Sequence, residues 1–175
     1  GLLKGFYLPD YAGGTTVHLM ATVIRALGGD SPHGDLQGFG PTQLAGARRI
    51  INLIVDGLGV DQLERHVASG GGQAFLAARP YRAISTVFPA TTAAAITTLT
   101  TGASPAEHGI LGWHLNLHDL GMVSTILPAA TRMGMPMAGE RFALREYLGM
   151  PSHVESVKCR TALISEGHIP RSRYS

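Results

Sequence analysis

A single cysteine, Cys159, stands among the 175 residues. No internal disulfide can form, and a zinc site built from thiolates is excluded. A lone thiol of this kind is expected to be buried and inert. Excess charge of one sign is missing too: the formal net charge is +2, with lysine and arginine spread along the chain. That leaves no electrostatic footprint for nucleic acid, and the two arginines of the ending His168-Ile-Pro-Arg-Ser-Arg-Tyr-Ser175 do not make a binding arm. No uninterrupted apolar run approaches the length of a membrane span, and no signal peptide is visible at the start. Without a signal peptide or a disulfide, a cytoplasmic location is the expectation.

What is present describes a globular chain. A hydrophobic fraction of 45% against 15% charged residues is enough to build a core, and 175 residues suit one domain better than two. Thr15 or Thr16 is positioned to cap a mostly buried helix over 17–27, which Gly28-Gly29 stops. That glycine pair lacks the lysine of a P-loop and the spacing of a dinucleotide fingerprint, so it reads as a turn. Residues 30–46 turn to Gly, Pro, Ser, Gln and Asp and read as a surface loop.

Residues 48–55 form a near-continuous aliphatic run, the pattern of a central parallel strand buried on both faces. It ends at Asp56-Gly57, where a carboxylate would point into the ligand crevice of an open α/β sheet or, more simply, make a turn that caps the next helix. Helices over 60–68 and 73–78 follow, and 81–87 is a second β-branched run. A right-handed crossover would make the two runs parallel neighbours with their carboxyl ends on one edge.

The second run leads through Phe88-Pro89 to Thr91-Thr92 and an alanine- and threonine-rich helix. Either hydroxyl suits a helix cap. With Asp56 on the same sheet edge, the pair also suits a shared divalent cation and a hydroxyl shifted toward its alkoxide. Further on, Trp113 to His118 alternates as a half-exposed strand does, so His114 and His118 read as surface residues rather than as a metal pair. Residues 122–127 read as a short strand, Met133 to Met137 as an apolar loop, 142–148 as a short helix and 154–165 as further strand.

Ile54-Val-Asp56-Gly, then Val87-Phe-Pro-Ala-Thr-Thr92, then Thr100-Thr-Gly102-Ala-Ser-Pro-Ala-Glu-His108-Gly109 resembles, in order and spacing, the type I phosphodiesterase and nucleotide pyrophosphatase branch of the alkaline phosphatase superfamily. The resemblance is clearest from Ile50 to about Pro128. It implies an α/β fold, a mostly parallel sheet with helices on both faces, of which residues 1–175 would be the N-terminal part of a single domain. It also implies hydrolysis of phosphodiester or pyrophosphate bonds through a phosphothreonine, with two divalent ions, zinc by preference. Asp56 and Thr92 would bind one ion, Thr92 would attack phosphorus, and Thr91 is the alternative nucleophile. The substrate would be a small phosphoester or nucleotide.

His108 belongs to the family pattern without being a metal ligand there, which leaves it a structural hydrogen-bonding role. Two departures accompany the resemblance. Nucleotide pyrophosphatases usually place an asparagine three residues after the nucleophile, and Ala95 stands there. The family's remaining ligands, an aspartate with a histidine four residues on, an Asp-His pair and a final histidine, have no counterpart after His118. Asp56 and Thr92 alone are too few ligands for zinc. The alternative reading is therefore a catalytically silent fragment or interaction module.

Overall fold

The computed structural model describes residues 7–70, 81–137 and 144–164. The chain divides into two compact units, one made of Gly1–Ala45 with Ser85–Ser175 and the other of Gly46–Ile84.

In the larger unit, α1 runs from Thr16 to Ala26 behind Thr15 at the N-cap. Val17, Met20, Ala21 and Ile24 repeat at the helical spacing i, i+3, i+4, i+7, and all four are buried. His18 Nδ1 accepts the Thr15 backbone N–H at 3.3 Å and lies 2.8 Å from Thr15 Oγ1. An imidazole thus does the work that glutamate or glutamine does in a capping box. Gly28, at φ 76°, ends the helix, and the Gly29 N–H returns to the Ile24 carbonyl at 2.9 Å.

α3 spans Thr92–Thr101 and is the helix on which the unit is built. Threonine is a modest helix former because its hydroxyl competes for backbone groups. Here that competition is resolved inside the helix: the hydroxyls of Thr97, Thr100 and Thr101 donate to the carbonyls four residues back at 2.7–2.9 Å. Thr97, Thr98 and Thr101 are thereby buried with their oxygens bonded. Ala93 and Ala94 send the two sides of α3 into different clusters. Ala94 packs with Val17 of α1 and Val87. Ala93 packs with Ile110, Leu117, Ile126, Leu127 and Met150. Each fully buried isoleucine or leucine in that second cluster contributes roughly 1.5–3 kcal/mol.

Gly102 closes α3 in the left-handed conformation at φ 75°. A Cβ there would stand 2.5 Å from Ile24 Cδ1 of α1, so glycine is required by both the backbone and the helix contact. The four-residue helix α4, Pro105–His108, follows at once. A three-stranded antiparallel sheet then forms in the order β1 (His114–Leu117), β2 (Met122–Thr125), β3 (Ala130–Thr131), with His114 opposite Thr125 and Ser124 opposite Thr131. Along β1, His114 and Asn116 are exposed while Leu117 is buried, as the alternating pattern predicts. α5 is Leu144–Leu148, and a 3₁₀ turn occupies His153–Ser156.

The smaller unit contains α2, Val60–Ala68. No strand occurs among its described residues. Ile51, Leu53 and Val55, expected in a central strand, are 87%, 81% and 56% exposed. A strand buried on both faces needs a neighbour on each side, and the described part of this unit supplies none. Of the second β-branched run, Ser85 alone pairs, in an isolated parallel bridge to Thr15, and both of these residues belong to the larger unit. The described residues are thus mixed helix and small antiparallel sheet rather than a doubly covered parallel sheet.

The strand expected from 154 onward is also absent among the described residues. The N–H groups of Glu155 and Val157 turn back on the carbonyls of Ser152 and Val154, which makes a 3₁₀ turn instead. The helix expected at 73–78 lies outside the described residues.

Candidate functional site

The threonine pair sits at the start of α3. Thr91 is the N-cap, in extended conformation, and its Oγ1 accepts the Ala94 N–H at 3.3 Å. Thr92 is the first helical residue and is half-buried. The capping role therefore belongs to Thr91, and Thr92 stands in the first turn at the positive end of the helix dipole. Ala95, where the family's asparagine would be, gives its N–H to the Thr91 carbonyl at 2.9 Å and packs beside the α1–α3 cluster.

Asp56 lies in the smaller unit, in the turn that follows the aliphatic run. The Leu58 N–H reaches the Val55 carbonyl at 3.4 Å across Asp56 and Gly57, and Gly57 adopts φ 78°. Asp56 is exposed. It does not cap α2, whose N-cap is Gly59 with Gln62 Oε1 accepting the Gly59 N–H at 2.7 Å. Asp56 and Thr92 thus belong to different units of the chain.

His108 is buried, 2% exposed, and burial pushes its imidazole down to about 4, against the opposing pull of Glu107 and a hydrogen bond to the Ala94 backbone. The ring is neutral at neutral pH. Its Nδ1 accepts the Ile110 N–H at 3.0 Å, so Nε2 carries the proton and faces Thr98 Oγ1 at 3.2 Å. The imidazole joins α4 to α3, the structural role read from the sequence. His114 and His118 are both exposed, as is Cys159, which overturns the expectation of a buried thiol. Cys159 follows the 3₁₀ turn beyond Lys158, whose N–H bonds the Leu27 carbonyl at 3.1 Å, and the chain there lies on the surface.

A second cluster, which sequence reasoning missed, centres on Glu107. His33 Nε2 lies 2.7 Å from Glu107 Oε2 and His153 Nε2 lies 3.2 Å from Glu107 Oε1. The two rings meet edge to face with centroids 5.8 Å apart. One donor atom from each residue falls within 4.8 Å of the others, a grouping that could hold a metal ion. Partial burial tends to raise the Glu107 pKa. The Ser104 hydroxyl and backbone N–H, each 2.6 Å from Oε2, together with the two imidazoles, outweigh it and hold the carboxyl at about 2. Part of this arrangement was legible as Ser104-x-x-Glu107, the sequence form of a capping box. The histidines were not, because they lie 74 and 46 residues from Glu107.

Among known proteins, no curated protein and no solved structure matches the chain. A family model does, over a span that takes in Asp56, both threonines and the Glu107-His108-Gly109 turn. Residues 50–123 match type I phosphodiesterase / nucleotide pyrophosphatase, and that is the family to which this chain is similar.

Proposed function

We propose that this chain is the N-terminal part of a phosphodiesterase or nucleotide pyrophosphatase that works through a phosphothreonine at Thr92. The reading rests on one observation: the family match covers Asp56 and the threonine pair together. It is supported by the placement of Thr92 in the first turn of α3 while Thr91 is engaged as the cap. The Thr92 hydroxyl attacks phosphorus in line, the alcohol or phosphate leaving group departs with the bonding pair, and water then cleaves the phosphothreonine in a second in-line step. The helix dipole at this end of α3 favours the phosphoryl charge throughout.

Asp56 and Thr92 offer one carboxylate and one hydroxyl against the four ligands of a closed zinc site, so these two residues do not by themselves fit the pair of zinc ions that the family implies. The chemistry assigned to this chain's own residues is the attack by Thr92. In the complete enzyme, the exposed aliphatic side chains of Ile51, Leu53 and Val55 would be covered as a central strand of a parallel sheet of the alkaline phosphatase type. The substrate is a small phosphoester, and Ala95 in place of an amide donor favours one that is not held as nucleotides are in the family.

The full-length protein is expected to hydrolyse a nitrophenyl phosphodiester or phosphonate ester in a metal-dependent way. Full activity in Thr92→Ala combined with Thr91→Ala sinks the reading. The shortage of ligands favours a second reading, a catalytically silent module, and turnover of the same ester by the full-length protein rejects it.

A further inference from the structure

Three segments distant in sequence meet at the Glu107 carboxylate, and the residues that meet there are those from which proteins build zinc sites. We propose that His33, Glu107 and His153 bind one divalent transition-metal ion of the zinc class, which clamps the loop after α1, helix α4 and the turn His153–Ser156 together. This site contains neither Asp56 nor Thr92 and stands whether or not the chain is part of a phosphodiesterase.

The donor set selects the ion. Two imidazoles and one carboxylate suit zinc, cobalt or nickel, whereas calcium and magnesium take mostly oxygen ligands. The side chains are between a fifth and a third exposed, which leaves an ion a way in from solvent. Tetrahedral ligands at about 2.1 Å from zinc stand about 3.4 Å apart. The three donor atoms lie within 4.8 Å of one another, so binding would draw the widest pair in by at most about 1.4 Å.

Each ligand is also held from behind, as metal ligands usually are. Ser104 fixes Oε2 of Glu107 through its hydroxyl and its N–H. The backbone at His33 is pinned by Arg25, which donates to the carbonyls of Ser31 and His33. Ser156 Oγ donates to the His153 carbonyl at 2.7 Å and accepts the Asp30 N–H at 2.8 Å, which ties the turn carrying one histidine to the loop carrying the other. Gly29 lets these two segments approach: a Cβ there would lie 2.6 Å from Ser156 Oγ.

The test is Zn²⁺ and Co²⁺ binding by calorimetry to chelator-stripped full chain. It compares wild type, His33→Gln with His153→Gln, and Asp56→Asn with Thr92→Ala. Glutamine keeps a hydrogen-bond donor for Glu107 and removes the imidazole. The expected result is one ion lost in the double-glutamine variant, with affinity weaker by at least about a hundredfold, and retained in the other variant. Co²⁺ in the wild type should give the visible absorption of a histidine-ligated ion. Absence of zinc uptake by the wild type at about 0.1 mM, which would leave only a hydrogen-bonded clasp, overturns the proposal. So does undiminished binding in a folded double-glutamine variant. If that variant does not fold, X-ray absorption on zinc-loaded wild type decides: two histidine nitrogens on the ion support the site and none overturns it.

Discussion

The two ends of α3 offer chemistry of different kinds. At its start, Thr91 spends its hydroxyl on the Ala94 N–H and leaves Thr92 in a turn with positive backbone potential, but the acidic partner expected there, Asp56, belongs to another unit of the chain. Just past its end, Gly102 turns the chain into α4, and Glu107 already has two imidazoles and a serine around it. The family match spans both ends, but around the threonine pair few ligand-bearing side chains gather, whereas two imidazoles have converged on the Glu107 carboxylate. A recognisable run of residues and a convergence of polar side chains are separate properties, and the two ends of this helix differ in the second.

The comparison predicts a sharp separation of effects. Thr92→Ala should lower phosphodiester turnover by the full-length protein by roughly a thousandfold or more while leaving zinc uptake at His33, Glu107 and His153 unchanged, as read by steady-state assay and calorimetry. Coupled loss of both would break the separation. Gly102→Ala should destabilise the larger unit by about 3 kcal/mol in urea unfolding, since the new methyl meets Ile24 and the left-handed backbone disfavours alanine. A change under about 0.5 kcal/mol would mean that the two helices are not held as closely as described.

Thr91→Ala should cost about 1 kcal/mol of stability, because its oxygen accepts the Ala94 N–H at the helix start, and on the proposed assignment should change turnover far less than Thr92→Ala. Equal losses of activity from the two substitutions would contradict the division of roles. The smallest expected effect concerns pH and His18. Burial, with His33 nearby, holds this imidazole below its ordinary value, against the pull of Asp10. As pH falls through about 6.5 the unfolded chain takes up the proton first, so this contribution to stability is complete above that value and is lost below it. The melting temperature should fall between about pH 7.5 and 5.5, and His18→Asn, which keeps an acceptor for Thr15, should fall less. An unchanged slope in that variant removes His18 from the account.

Much of the helical structure was legible because its signals are local. The apolar spacing of Val17, Met20, Ala21 and Ile24 and the threonine before it set α1, and the Thr91-Thr92 step set α3 to within a residue. The run 48–55 left more open, because aliphatic density says that a segment wants to be covered, not what covers it; Ile51 and Leu53 are exposed in the described structure. Beyond 153 the same ambiguity put a strand where a 3₁₀ turn forms. At the candidate site, motif order pointed to Asp56 and Thr92, and Ser104-x-x-Glu107 was readable from capping chemistry. His33 and His153 were not, since nothing local marks residues that only the tertiary fold brings to one carboxylate.

The central claim is that Thr92 is the residue that carries the phosphoryl group. Acid quenching of the full-length protein during turnover of a phosphodiester, followed by tandem mass spectrometry of the peptide containing residues 85–101, tests it directly. The account predicts a phosphoryl adduct on Thr92 that is absent from Thr92→Ala. An adduct on Thr91 or elsewhere, or steady turnover with no adduct and full activity in Thr92→Ala, would contradict it.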